Sequence, residues 1–232
     1  MKKFVAIALI ATSPMVYGDK IWKGEGDLAF NRATGNTDTN ALLANLKLMY
    51  EAEKWRHTGQ VEAINSSEND RRSAETYTLK VKSDYQLSDA LYSFGAFRYE
   101  DNRFSGYEYQ SSLTAGLGYQ IIDTETTQFN VEGGAGYRRS EEADTGETFN
   151  EAVGIAAIRF HHELTDTTRF EGDVNVESGA DNTFAESILA LKVRINSRLA
   201  LRVAYTVKHN TDVPDDTKNT DTLTSVGLNF NF

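Results

Sequence analysis

In the stretch "YQSSLTAGLGYQ", Tyr109, Ser111, Leu113, Ala115, Leu117 and Tyr119 share one parity, and all but Ser111 are apolar or aromatic. Gln110, Ser112, Thr114, Gly116, Gly118 and Gln120 share the other. Side chains alternate faces along a strand, so the segment predicts a strand with one greasy and one wet face. "QFNVEGGAGYR", "RFEGDVNVE" and "TYTLKVKSDY" repeat the pattern, whereas helical spacing is hard to find. Twelve such runs are expected, near 21–31, 39–50, 55–65, 75–85, 90–100, 107–120, 128–138, 149–160, 169–177, 183–195, 199–208 and 221–232. Most have the length, about 10 to 12 residues, that a tilted strand needs to cross a bilayer. Val153, Ile155, Phe184 and Ile188 fall on the wet parity, which leaves the registers near 90–100, 149–160 and 183–195 open.

The connectors alternate in character. "EAEK", "QLSD" and "NSR" are tight turns, while "SSENDRRSA", "RSEEADTGET" and "HNTDVPDDTKNT" are longer and polar. An even strand count with short turns at one end and longer loops at the other predicts an all-β fold: a single antiparallel up-and-down transmembrane β-barrel of about 12 strands. A soluble β-sandwich or lipocalin-like barrel would alternate too, with its greasy face turned inward. The aromatics favour the membrane reading. On the greasy parity Trp22, Tyr50, Trp55, Tyr85, Tyr119, Phe129, Phe160, Phe170 and Phe232 fall beside tight turns, and Phe30, Tyr77, Tyr99, Tyr107, Tyr137 and Tyr205 beside the loops. Two aromatic rings around a band of Leu, Val, Ala and Gly match the girdles of a membrane barrel.

The ends extend this picture. "MKKFVAIALIATSPMVYG" has the charged start, short apolar run and small-residue cleavage site of a secretory signal, which predicts a leader over 1–18 and a barrel over 19–232. The apolar run is too short for a spanning anchor. At the other end "LTSVGLNFNF" alternates to a terminal aromatic, and Leu228, Phe230 and Phe232 resemble the signal read by the bacterial outer-membrane assembly machinery. Both termini are then expected in the periplasm, and the protein in a Gram-negative outer membrane beside lipid and lipopolysaccharide.

Charge narrows the function classes. Losing Lys2 and Lys3 with the leader takes the net charge from −10 to −12. That balance argues against nucleic acid as a partner, since phosphate binding needs clustered Lys and Arg. The chain has no cysteine, which excludes disulfide and thiolate chemistry. No cofactor motif is present, and "DVPDD" lacks the spacing and glycine of a calcium loop. The expected lumen lining includes Lys47, Arg56, Glu62, Lys80, Lys82, Arg98, Glu108, Glu132, Arg138, Glu151, Arg159, Glu171, Asp173, Lys192, Arg194 and Arg202, with Glu25, Asp27, Asp84, Glu100, Glu177, Glu186, Lys23 and Lys208 on the same parity. The two signs balance along this face, so no single-sign ring of the kind that selects ions is formed. Such charges either line an open bore or pair across it, and a twelve-stranded barrel lies between the filled and open size classes. Asp and Glu in the loops make an acidic rim, read either as a cation-enriching mouth or as ordinary solvated loops. An enzyme is not expected, because His57, the one strand histidine on the greasy face, has no serine two positions away along its strand.

Three stretches carry a family likeness: "FNRATGNTDTN" in the first hairpin, "YEDNRFSGYEYQ" across the third loop, and "NTDVPDDTKNTDT" leading into "GLNFNF". In this order they resemble the YdiY-like salt-induced outer-membrane proteins, a family grouped as a domain of unknown function. The resemblance covers essentially the whole mature chain and implies an outer-membrane β-barrel with a link to salt or osmotic stress. It supplies no substrate, catalytic residue or cofactor. From charge and likeness together, the expected function is a narrow, weakly selective porin-like channel for ions or small polar solutes, with a non-conducting structural barrel as the alternative.

Overall fold

The computed structural model describes residues 16–17, 20–34, 39–68, 71–102, 107–143, 145–213 and 218–232. Apart from Val16 and Tyr17, the predicted leader over 1–18 lies outside the described residues. Among the described residues every regular element is a strand: a two-residue stub, β1 (Val16–Tyr17), then β2 (Lys20–Thr34), β3 (Thr39–Ala52), β4 (Trp55–Glu68), β5 (Arg71–Gln86), β6 (Leu91–Asn102), β7 (Tyr107–Asp123), β8 (Thr127–Glu142), β9 (Thr148–Thr165), β10 (Thr168–Ser178), β11 (Thr183–Arg194), β12 (Leu199–Asn210) and β13 (Thr220–Asn231). Each pairs antiparallel with its sequence neighbour, and β13 pairs with β2, which closes a barrel of twelve strands, β2–β13. Closure runs to the last residue. Phe232 N–H donates to Gly24 O at 2.9 Å, and Gly24 N–H returns a bond to Phe232 O at 2.8 Å.

All twelve predicted runs are strands, and several are longer than expected, up to 18 residues in β9. Many of the additions are polar ends such as "RSEE" in β8. Backbone pairing continues there without a lipid-facing pattern to reveal it, because the ladder uses only main-chain groups.

Exposure decides between the two barrel types. Phe30 is 79% exposed, Leu113 65% and Leu117 53%, whereas Arg138 is 1%, Glu177 4% and Glu100 5%. The greasy face is therefore outside and the charged face inside, the inverse of a soluble barrel. An apolar surface continuous around the whole wall must be covered, and hydrocarbon is the covering that fits a closed barrel with aromatic rims.

The ring is creased. A Cβ on Gly116 would lie 2.2 Å from Gly133 O, and one on Gly134 would lie 2.2 Å from Ala115 O. A Cβ on Gly227 would lie 2.2 Å from Leu28 O. All three glycines face inward, where sharp bending brings neighbouring backbones together that only hydrogen can separate. One crease lies at β7/β8 and the other at β13/β2, opposite each other in the ring. They divide it into two six-stranded walls, β2–β7 and β8–β13, that face one another across the bore.

Candidate functional site

The bore begins at the tight-turn end with a vestibule of about 410 Å³, lined among others by Glu51, Lys54, Arg56, Asp84, Tyr92 and Gln120. Strand parity brings Glu51, Arg56 and Asp84 inward, because their outward neighbours Trp55 and Tyr85 hold the aromatic rim at 4.8 Å between ring centres. Tyr92 lies between the vestibule and a hub at Glu132. One Glu132 oxygen accepts from Lys82 Nζ at 2.5 Å and Tyr92 O–H at 2.7 Å, and the other meets Arg159 Nη1 at 2.6 Å. Lys82 also reaches Asp84 at 2.7 Å. Lys192 bridges Glu171 at 3.1 Å and Glu25 at 3.3 Å, linking β11 and β10 to β2. Beside the seam, Asn229 is fully buried and donates to Asp27 at 2.8 Å, with Asn45 donating to the other Asp27 oxygen at 2.8 Å.

Further along, the two walls are tied together. Lys80 of β5 meets Glu186 of β11 at 2.9 Å, and Lys208 of β12 meets Glu100 of β6 at 2.9 Å. Arg98 donates to Glu100 at 2.8 Å, and its guanidinium lies 4.4 Å from the centre of the Phe184 ring, which projects from the opposite wall. At the loop end Arg138 donates to Glu151 from Nε at 3.0 Å and from Nη2 at 2.5 Å. It also donates to Glu177 O at 3.4 Å and to the Asn182 carbonyl, so one buried cation pins the β10–β11 connection over the mouth. Charges buried this way cost desolvation energy that only partners can offset, which explains why each carboxylate named here has a cation or donor against it.

The expected lining residues fall into three groups. Lys80, Lys82, Arg98, Glu132, Arg138, Glu151, Arg159, Glu171 and Lys192 join the network, and Asp173 stands 3.9 Å from Arg159 at its edge. Lys47, Glu62 and Arg202 are half-buried at the wall, while Arg56 and Arg194 are exposed at the tight-turn rim, Arg56 against Glu51 at 2.9 Å. Glu108 departs from its expected place. A bulge between Tyr107 and Tyr109 leaves it exposed and turns Tyr107 inward, where its hydroxyl donates to Asp212 O at 3.3 Å. Tyr107 therefore does not belong to the outer aromatic ring.

The apolar residues on the wet parity are no register error. Val153 and Phe184 are each 2% exposed inside the barrel, with Tyr92 and Phe94 buried on the same side. The bore is thus partly packed with aromatic rings, a role that a face judged by its charges conceals. His57 also has a serine after all. Its Nδ1 lies 2.9 Å from Ser83 Oγ on the outer face, across the strand pair rather than along the strand. The ring stacks on Trp55 at 5.5 Å and Tyr50 at 6.2 Å, within the aromatic rim at the tight-turn end.

Comparison with known proteins agrees with this geometry. The family described as "Protein of unknown function, DUF481" matches residues 26–232. The uncharacterized protein YdiY of Escherichia coli (strain K12) is 31% identical over 214 residues, covering 91% of this chain and 83% of the relative. Among solved structures, the NanC porin superposes with a TM-score of 0.60 at 12% identity, covering 88% of this chain and 98% of its own. The translocator domain of the autotransporter NalP from Neisseria meningitidis gives a TM-score of 0.53 at 15% identity, covering 91% and 88%. These two share the outer-membrane barrel fold with this chain.

Proposed function

Because the chain belongs to the DUF481 family of proteins of unknown function, a grouping that assigns no activity, we propose from the geometry of its bore that it is a narrow, passive channel for small polar solutes and ions in a Gram-negative outer membrane. The observation that carries this reading is the interior itself. A barrel needing only mechanical stability is served by Leu and Val, yet this one buries Arg98, Glu100, Glu132, Arg138, Glu177 and Glu186 and keeps a polar vestibule at one end. The fold does not choose the function, since a porin and an autotransporter translocator both carry it. The same reading has residues 1–18 removed as a leader, both termini in the periplasm, and β13 ending in Leu228, Phe230 and Phe232 as the segment presented to the assembly machinery. The acidic loops face lipopolysaccharide, and the family likeness supports a role under salt or osmotic stress. No catalytic role is included.

A non-conducting structural barrel is the second reading, favoured by the cross-wall pairs Lys80–Glu186 and Lys208–Glu100. Recording from purified, folded protein in a planar bilayer separates the two. We expect small conductance steps with a mild cation preference from the acidic mouth, fading as the Debye length falls from about 10 Å at 0.1 M salt to about 3 Å at 1 M. Neither current steps nor solute flux, from protein shown to be folded, would reject the channel and leave the structural barrel.

A further inference from the structure

A buried patch of the bore holds polar groups that the network leaves unused. Arg98 has both Nε and Nη1 buried without a hydrogen-bond partner among the described residues, Gln110 has its Nε2, and Glu177 has its Oε2. The three residues are 7%, 5% and 4% exposed, so bulk solvent does not reach these atoms. They also belong to one patch. Arg98 is the strand partner of Ser112, Gln110 is the partner of Glu100 in the same pair, and Ser112 Oγ donates to Glu177 Oε1 at 3.2 Å from across the bore. Phe184 covers the guanidinium from the opposite wall.

Resting on the channel reading above, we infer that this patch is the solute-selecting constriction of the bore and that it favours small neutral solutes bearing hydroxyl groups over charged or zwitterionic ones. The chemistry follows from what is left unpaired. Arg98 and Gln110 offer N–H donors, and Glu177 offers an acceptor. A hydroxyl group both accepts and donates, so one solute group satisfies both sides at once. A cation gains from Glu177 and is opposed by Arg98, and an anion meets the reverse. The surrounding charges give neither ion a compensating site, because Glu100, Glu186, Lys80 and Lys208 already neutralise one another. Entry requires the Phe184 ring to swing aside, which makes it the stopper and the size limit. Buried polar groups without partners are destabilising in the closed arrangement, so the patch gains hydrogen bonds when a solute enters.

Swelling of proteoliposomes carrying the purified folded protein tests the inference, with glycerol as the hydroxylated probe and glycine as a zwitterion of similar size. Glycerol should drive swelling well ahead of glycine. Gln110→Leu removes a donor and should slow glycerol roughly fivefold, the factor that one hydrogen bond of ordinary strength is worth. Phe184→Ala should speed both solutes and narrow the difference between them. Glycine keeping pace with glycerol, or Gln110→Leu leaving glycerol flux unchanged in protein that still shows heat-modifiable gel mobility, overturns the constriction while leaving the channel standing. No swelling and no current from folded wild type and folded Phe184→Ala alike would end both.

Discussion

Arg138 gives the sharpest test of the buried network. Arg138→Met keeps most of the side chain's length and removes its charge. The native guanidinium is 1% exposed and donates to Glu151 twice, to Glu177 O and to Asn182 O. Without it the Glu151 carboxylate stays 8% exposed, with the Asp181 N–H at 3.1 Å as its remaining donor. Orphaning one member of a buried ion pair costs about 3–5 kcal/mol, whereas replacing both members by apolar groups is often close to neutral. The variant should therefore unfold at a guanidinium midpoint lower by on the order of 1 M. Arg138→Met/Glu151→Leu should recover most of that loss despite carrying one more substitution. The assay is equilibrium unfolding from detergent micelles or vesicles, followed by tryptophan fluorescence and by heat-modifiable mobility. Loss of less than about 1 kcal/mol in the single variant, the level of a solvent-exposed pair, would refute the buried network at the mouth. So would a double variant no more stable than the single, because the penalty would then not come from an orphaned charge.

Three further outcomes are expected. Gly134→Val places a Cβ 2.2 Å from Ala115 O, so folded barrel should be lost, whereas Gly59→Ala, with open space around its position, should fold normally; equal yields would remove the crease. Phe232→Asp lies at the rim, where a lipid-facing charge costs at most about 1 kcal/mol, so purified protein should keep its stability while its outer-membrane level falls far below that of Asn231→Asp. Equal levels would take the assembly role away from the terminal strand. An epitope inserted beside Thr145 should be reachable on intact cells and one beside Glu53 should not, and the opposite pattern would invert the orientation proposed here.

Much of the barrel was legible because its outer surface repeats a simple rule. Leu113, Leu117 and Tyr119 must all meet lipid, so their parity fixes the face of β7 without any knowledge of its neighbours. The interior obeys no rule of that kind. Lys80 and Glu186 stand 106 residues apart and meet because two walls face each other, a relation created by creases at Gly116, Gly134 and Gly227 rather than by either strand. Phe184 looked misplaced for the same reason, since its partner Arg98 lies on the opposite wall. The Tyr107 bulge and the Ser83–His57 contact escaped a reading made along single strands, because both depend on how two strands align. Charge type along the wet face named many of the right residues, but which of them join, and around which rings, is decided by the closed shape.

The seam between β2 and β13 stands apart from the other eleven in one respect. Neighbouring strands elsewhere in the ring are also neighbours in sequence, so hairpins can form one after another with little chain entropy to lose at each step. The Asn229–Asp27 bond joins residues 202 apart, and it brings together the two ends of an already assembled sheet. Because loop-closure cost rises only with the logarithm of length, the distance itself is a small obstacle. The greater difficulty is the interval before closure, when both edges carry rows of unpaired amides and carbonyls that hydrocarbon cannot satisfy. A buried amide–carboxylate clasp at that seam, reinforced by the paired backbone bonds of Gly24 and Phe232, makes closing cooperative: the edges are held open together or zipped together, and a half-closed barrel has little to stabilise it.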